Sequence, residues 1–567
     1  MRPSQLRRRT AAVAAIAALG LAGPLATSGA SAQALPAAAY SFAPSPVAVT
    51  GTLTAGAKVP VVLTATKADG SAAGGATVYL SFAPTTGGGQ LMSHGLPMGA
   101  APTAFKADAA GHIKMNFQAP STLPTSGSDV ITAANAATGG TIVVQDSYTY
   151  VPSGLSAGDW PMFHLNATHS GVSSDAILGA AHAPSMALLW SADIAATCPK
   201  AGCGQIVASP SVVYNSTLGV SLVYVADYWG TVFAFDAVTG AKVWSRQLSG
   251  RILGSVAVSG NMVFIGSANH LMYELNATTG AVMCTLDTGG IITSAPVVAD
   301  PGTGNVVYFG DHGTTWQPPQ NGHLWAMNPS GCTLKWMWDA FGNPAGSLTG
   351  QVGEWSQPGF AFDATGRPLV VFGSANEDDE IYALDANTGS TVWQFQTLKG
   401  TDTDVGAGPT ISAPGTNGFA HGVVYETGKD RIVYALDLTT GAQIWSFNVK
   451  AANPGPQGDT VSVAALNGTN LLLGWGAGIY DLNAVTGVPI WKVAGLPEMA
   501  TSPAVSGAPG DQVVFIGDIG GGFHAYSLSG TELYSMNTGG AIFGSPAVSN
   551  GRVYFTDAAT DRLYALG

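Results

Sequence analysis

An all-β molecule is predicted: an eight-bladed β-propeller preceded by a β-sandwich. Three observations carry this. First, one unit recurs after residue 200: two short apolar strands, an Asp or Asn, Thr-Gly, and a third strand bearing Trp. Its clearest copies are Asp236-Ala-Val-Thr-Gly240-Ala-Lys-Val-Trp244, Asp385-Ala-Asn-Thr-Gly389-Ser-Thr-Val-Trp393 and Asp437-Leu-Thr-Thr-Gly441-Ala-Gln-Ile-Trp445. Asn483 to Trp491 repeats it, and Asn276 to Cys284 repeats it with Cys in place of Trp. Self-similarity at such a period marks a repeat architecture. Second, Gly is abundant at 75 of 567 residues and charged residues are only 10%, which suits strands and turns. Third, residues 40–152 have another texture, rich in Ala, Thr and Gly and free of Trp and Cys.

Residues 1–32 are predicted to be an export signal. Arg7-Arg-Arg9 precedes an apolar run from Ala11 to Ala22, and Ala30-Ser-Ala32 is a small-residue cleavage pattern. The alternative is a membrane anchor, although the run is short for a span. No other stretch reads as a transmembrane helix, and a secreted or cell-surface location follows. Within 40–152, the segments 59–66, 76–82, 112–117 and 129–134 read as strands separated by turns at Asp69-Gly70 and Gly87-Gly-Gly89. That is the pattern of a β-sandwich. The order of its Thr-Ala-Thr, Asp-Gly and Ile-Thr-Ala elements resembles bacterial Ig-like domains of surface adhesins. The resemblance implies a stalk or adhesion module. Residues 153–184 are assigned to a linker and lead-in, and 185–567 to the propeller.

One repeat illustrates the blade. Residues 222–226 and 231–235 are apolar runs rich in β-formers, with a turn at Asp227-Tyr-Trp-Gly230 between them. Gly240 closes the next turn, where a positive φ is cheap for glycine. Residues 241–248 are the outer strand, and 206–213 the inner one, with Pro210 near its start where a ladder donor can be spared. Four antiparallel strands of this length make a blade. Blades are expected near 204–248, 251–287, 290–339, 351–398, 404–449, 458–494 and 499–537. The last unit, 541–567, has three strands, and residues 186–193 are expected to supply its fourth, which removes free sheet edges. Seven blades is the alternative count.

The net charge of −13 makes nucleic acid and anionic membrane poor partners. Four cysteines fit an oxidising compartment. Cys198 and Cys203 flank a small loop and are expected to form a disulfide; zinc would need further ligands nearby. Cys284 and Cys332 fall on the outer parts of adjacent blades, as a second disulfide or as buried thiols.

The segment Tyr382-Ala-Leu-Asp-Ala-Asn-Thr-Gly-Ser-Thr-Val-Trp393 resembles the pyrroloquinoline-quinone (PQQ) repeat of quinoprotein alcohol dehydrogenases. So does the lead-in Asp159-Trp-Pro-Met-Phe-His164 with His169-Ser-Gly171. The resemblance covers 158–567 and implies that the Thr-Gly and Trp elements are structural, with Trp packed between blades. Chemistry is then expected at the opposite mouth. The loops there carry Asp227-Tyr-Trp229, the insertion from Asp311 through Trp316 to His323, Asn376-Glu-Asp-Asp-Glu380, Asp404, Lys429, Asp518 with His524, and Asp557. The resemblance to dehydrogenases assigns Asn376 as a calcium ligand, Asp404 as base and possible ligand, and Lys429 as a cation for the quinone oxygens. Glu377 is a further candidate ligand, and Trp229 and Trp316 are candidates to stack on a cofactor or sugar. The run 377–380 is read either as a Ca²⁺ loop or as a solvated turn.

The departures are as informative. No Glu stands in the preceding blade as carboxylate ligand, so Asp311 or Glu354 would have to serve. No haem-binding Cys-x-x-Cys-His occurs. The leading functional expectation is a secreted, non-catalytic propeller on an Ig-like stalk, binding a protein, glycan or small molecule at its mouth, with the cell wall as a further surface. The second is a PQQ- and Ca²⁺-dependent alcohol or polyol dehydrogenase using Asp404 as base.

Overall fold

The computed structural model describes residues 158–198, 204–313, 322–339, 356–375, 378–400, 403–452 and 462–567, together with strands and short turns between 15 and 150. The chain divides into two units, Met1–Ala157 and Gly158–Gly567. In the first, Lys58–Lys67 pairs with His112–Gln118 and Tyr40–Ala43. In a second sheet, Thr77–Ala83 pairs with Thr103–Lys106 and Ile131–Asn135. The strands expected near 59–66, 76–82, 112–117 and 129–134 are therefore present. The predicted export signal lies outside the described residues except for positions 15 and 16.

The second unit is a ring of eight four-stranded antiparallel sheets. Blade 1 spans 211–247, blade 2 257–287, blade 3 297–339, blade 4 359–396, blade 5 410–448, blade 6 465–494 and blade 7 504–537. Blade 8 combines Ala547–Ser549, Arg552–Asp557 and Arg562–Leu566 with Leu188–Asp193 as its outer strand. The count of eight and the closure by the early strand both hold. Ala187 and Gly567 exchange backbone hydrogen bonds beside this junction. The middle strands of each blade are nearly all buried, for example Thr231–Asp236 and Glu380–Asp385. Outer strands alternate exposed and half-buried positions, as a sheet edge facing water should.

The repeated Trp is the joint between blades. Trp244 of blade 1 donates through Nε1 to the Ala277 carbonyl of blade 2 at 2.9 Å, and Tyr224 donates to the same oxygen at 3.2 Å. Trp336, Trp393, Trp445 and Trp491 do the same to Ala386, Leu438, Ala484 and Leu528, and Trp190 to Ala237. Each indole lies flat on the glycine of the next blade's turn. Gly441 has φ +72°, and a Cβ there would stand 2.7 Å from Trp393 Cε3. Glycine is needed twice over, for its backbone conformation and for its missing side chain.

Two of the eight joints differ. Between blades 7 and 8, Tyr534 takes the Trp position, and the short turn Ala183–Ser185 packs against the blade 7 outer strand. Between blades 2 and 3 the joint is a disulfide, Cys284–Cys332. Of the two readings for that pair, the cross-link is the one observed. Cys198 is also disulfide-bonded, while Cys203 lies outside the described residues.

Candidate functional site

The lead-in, residues 158–175, closes one end of the central channel. It crosses the ring and pairs in turn with most of the inner strands. Trp160 exchanges hydrogen bonds with Val212; Pro161 accepts from Val258, Ala167 from Phe360, Thr168 from Ile411, Ser170 from Leu466 and Gly171 from Val505. His164 and His169 pin it. His164 reaches the Pro503 carbonyl at 2.8 Å and the His169 carbonyl at 2.8 Å, and His169 reaches the Pro409 carbonyl at 3.0 Å. Both rings are fully buried. Burial pushes their pKa values down from 6.5, to about 4 for His164 and about 3 for His169, where His164 adds repulsion. Three non-glycine residues here, His164, Leu165 and His169, hold positive φ, backbone that persists only where its surroundings impose it.

Above this plug lies a cavity of about 390 Å³. Its walls precede the inner strands, so it opens toward the loops of the mouth. One side is polar: Ser209, Ser255, Ser502 and Ser545 from four consecutive blades, 7, 8, 1 and 2. The serines form a chain in which the backbone N–H of Ser502 donates to Ser545, that of Ser545 to Ser209, and that of Ser209 to Ser255, at 2.8–2.9 Å. Each hydroxyl thus serves as an acceptor to the frame and keeps its own proton to donate. The opposite side is apolar, where Phe163 of the plug packs on Ala295, Ala407 and Val463. Lys429 completes the lining.

Asp404 and Lys429 form an ion pair, with Nζ 2.7 Å from Oδ2. Asn376, Glu377 and Trp316 lie outside the described residues, as do Glu354 and Asp402. The neighbouring Asp378 and Asp379 are buried rather than solvated, which corrects the reading of 377–380 as a solvated turn at these two positions. Asp378 accepts from the Tyr382 hydroxyl at 2.8 Å and Asp379 from Thr403 at 2.9 Å. Burial, reinforced by the charge of Asp404, pushes Asp379 up to about 6.

The other mouth carboxylates hold their own loops. Asp227 accepts the Thr231 N–H at 2.7 Å, Asp518 the Gly522 N–H at 2.9 Å and Asp557 the Ala559 N–H at 2.9 Å. Asp311 accepts from Gly313 and from the Trp325 indole, and faces His323 at 3.1 Å. Burial opposes a charge on His323, yet Asp311 outweighs it and raises the ring's pKa. Trp229 stays open to solvent at 42% exposure. It meets Tyr228 edge-on at 5.2 Å, with Arg251 over both rings. Leu398, Ile519 and Phe543, the last at 42%, are also exposed on loops of this face.

The family's quinone and calcium can be tested against these residues. Among the described residues the cavity lining offers one cation, Lys429, for a cofactor bearing three carboxylates, and Asp404 already occupies it. Of the three candidate calcium ligands, Asp404 is the described one, and its Oδ2 faces an ammonium group. Among the described residues, then, the one cation of the cavity lining and the one described candidate ligand are paired with each other.

A family model described as outer membrane protein assembly factor BamB matches residues 174–371 and 476–567, just over half of the chain. A second, the β-propeller domain of glucose, ethanol and alcohol dehydrogenases, matches 369–464. The chain belongs to the PQQ-repeat β-propeller family. A BamB relative from Yersinia pestis is 28% identical over 249 residues, 41% of this chain and 55% of that protein. The chain thus matches little more than half the length of that PQQ-repeat relative. The quinoprotein alcohol dehydrogenase PedH of Pseudomonas putida is 27% identical over 278 residues, 40% of this chain and 46% of its own. Among solved PQQ-repeat structures, the quinohaemoprotein alcohol dehydrogenase of Comamonas testosteroni superposes with a TM-score of 0.59 at 17% identity, covering 73% of this chain and 81% of its own. That likeness is one of fold.

The repeat made the joints legible, and the resemblance to dehydrogenases pointed to Asp404 and Lys429 at the same mouth without their ion pair. The plug and the serine crescent were missed. A usable signal was present in the Ser-Pro pairs at 209–210, 502–503 and 545–546, which recur at the start of inner strands.

Proposed function

We propose that this protein is a non-catalytic binding propeller of the cell envelope, exported by its N-terminal signal and held out on the strands of its first unit as an Ig-like stalk. Its mouth receives a protein partner. The observation that carries this reading is the cluster of Trp229, Tyr228 and Arg251 on an open face that also exposes Ile519 and Phe543. Trp, Tyr and Arg are the residue types that dominate interface energetics, and an exposed apolar group of this kind on a mouth is the signature of a partner site. The family model named for an assembly factor, the better covered of the two, supports the same direction.

Photo-crosslinkers placed at Trp229 and at Val238, which is exposed on the opposite turn face, test it in the producing cell. Capture of one partner from position 229 and not from 238 is expected, and equal capture from both would sink the reading. The dehydrogenase alternative predicts a different result. Titration with PQQ and Ca²⁺ is expected to leave no quinone absorbance on the protein and no alcohol-dependent dye reduction. Bound quinone, with turnover abolished by Asp404→Asn, would replace the proposal by the enzyme.

A further inference from the structure

The joint between blades 2 and 3 departs from the repeat at three places at once. Where six other outer strands carry Trp and blade 7 carries Tyr534, blade 2 carries Cys284. The residue across the strand from that position is Ala234, Ala326, Ala383, Ala435 and Ala565 beneath the Trp of five other blades, and Asp481 beneath Trp491 in blade 6. Here it is Glu274. The turn that receives the joint carries Cys332 beside Gly331, with open space where an indole would press.

Alanine leaves room for the indole above it in five blades, and blade 6 accommodates Asp481 beneath Trp491. Once Trp becomes Cys the room must be refilled, and an apolar side chain would fill it at least cost. The chain fills it with a carboxyl. Glu274 and Cys332 are 6% and 4% exposed, and Cys284 is half-buried. Glu274 Oε2 lies 3.1 Å from Cys284 Sγ and 3.8 Å from Cys332 Sγ. One ligand atom from each of the three falls within 4.8 Å of the others. Among the described residues no cation pairs with Glu274. A disulfide alone has no use for a third polar group, and a buried carboxyl beside it is costly.

We propose that the reduced form of this joint is a site for a soft divalent cation of the zinc type, held by Cys284, Cys332 and Glu274. Two thiolates and one carboxylate are a zinc-like donor set, and three protein ligands leave a fourth position for water on the exposed side of Cys284. Disulfide and metal exclude one another. A dithiol reductant breaks the S–S bond, gives it two electrons and two protons, and leaves as its own disulfide. Metal capture then releases both thiol protons to solvent. Either state ties blade 2 to blade 3, so the ring has two alternative clasps at the one joint where the indole is gone.

Cobalt(II) is the probe. The full chain carrying Cys198→Ser and Cys203→Ser is reduced with a phosphine, stripped of metal and titrated. One Co²⁺ per chain is expected, with sulfur-to-cobalt charge-transfer absorption in the near ultraviolet that Zn²⁺ abolishes by displacement. Glu274→Gln is expected to weaken binding about tenfold or more. In the oxidised state neither protein should bind cobalt. Absence of the band, a band that Glu274→Gln leaves unchanged, or a reduced chain that unfolds with or without cobalt would each overturn the proposal.

Discussion

Lowering the pH from 7 to 5 is expected to cost the propeller roughly 4 kcal/mol through His164 and His169 alone. Both rings titrate near 6.5 in the unfolded chain and near 4 and 3 in the folded one. Below pH 6.5 the unfolded state therefore binds protons that the folded state refuses. Stability is fully present above 6.5 and is lost as pH falls toward the folded values, at about 1.4 kcal/mol per unit per ring. By pH 5 each ring has lost about 2 kcal/mol. His323 and His524 run the other way, since carboxylate partners raise them; their contribution is present at low pH and fades as pH rises. Denaturant midpoints at pH 7 and pH 5 provide the measurement. In His169→Asn the difference between the two pH values should shrink by about 2 kcal/mol. An unchanged difference would show that the plug does not exclude protons.

The second large effect belongs to the indole joint. Trp393→Ala removes a side chain only 7% exposed and orphans the Leu438 carbonyl, for a loss of about 3–5 kcal/mol. Gly441→Ala carries two penalties. Left-handed backbone costs an alanine about 1–2 kcal/mol, and the 2.7 Å approach to Trp393 adds overpacking of about 1–3 kcal/mol. In the Trp393→Ala background the second penalty vanishes and the first remains. The double-mutant cycle should therefore show a coupling of about 1–3 kcal/mol in favour of the double variant. Strict additivity would mean that the indole does not rest on the glycine.

These two sites mark where sequence reasoning reaches and where it stops. Trp393 and Gly441 stand at fixed positions of a repeat, so each copy teaches the role of the others. The eight sheets and the borrowed strand Leu188–Asp193 follow from that regularity. His169 has no such help: its partner, Pro409, is 240 residues away. Nothing periodic in Asp159 to Gly171 says that it threads a channel. Glu274 sat unnoticed inside a well-behaved strand, because its meaning lies in the Ala that five other Trp-bearing blades put there and in the cysteines that replace the indole above it. The carboxylates of the mouth misled in the opposite sense. Asp227, Asp518 and Asp557 look like converging ligands in a list of loops, yet each has turned back to accept the N–H groups of its own turn.

Blade 8 has a consequence for biosynthesis. Its outer strand is among the first parts of the ring to leave the ribosome, and its neighbour Arg562–Leu566 is among the last. Until residue 566 has been made, Leu188–Asp193 has no strand to pair with, and the indole of Trp190 belongs to a sheet that does not yet exist. A nonsense mutation a few codons upstream would yield not a slightly shorter ring but an open arc with two sticky rims. Quality control would meet it as a misassembled chain.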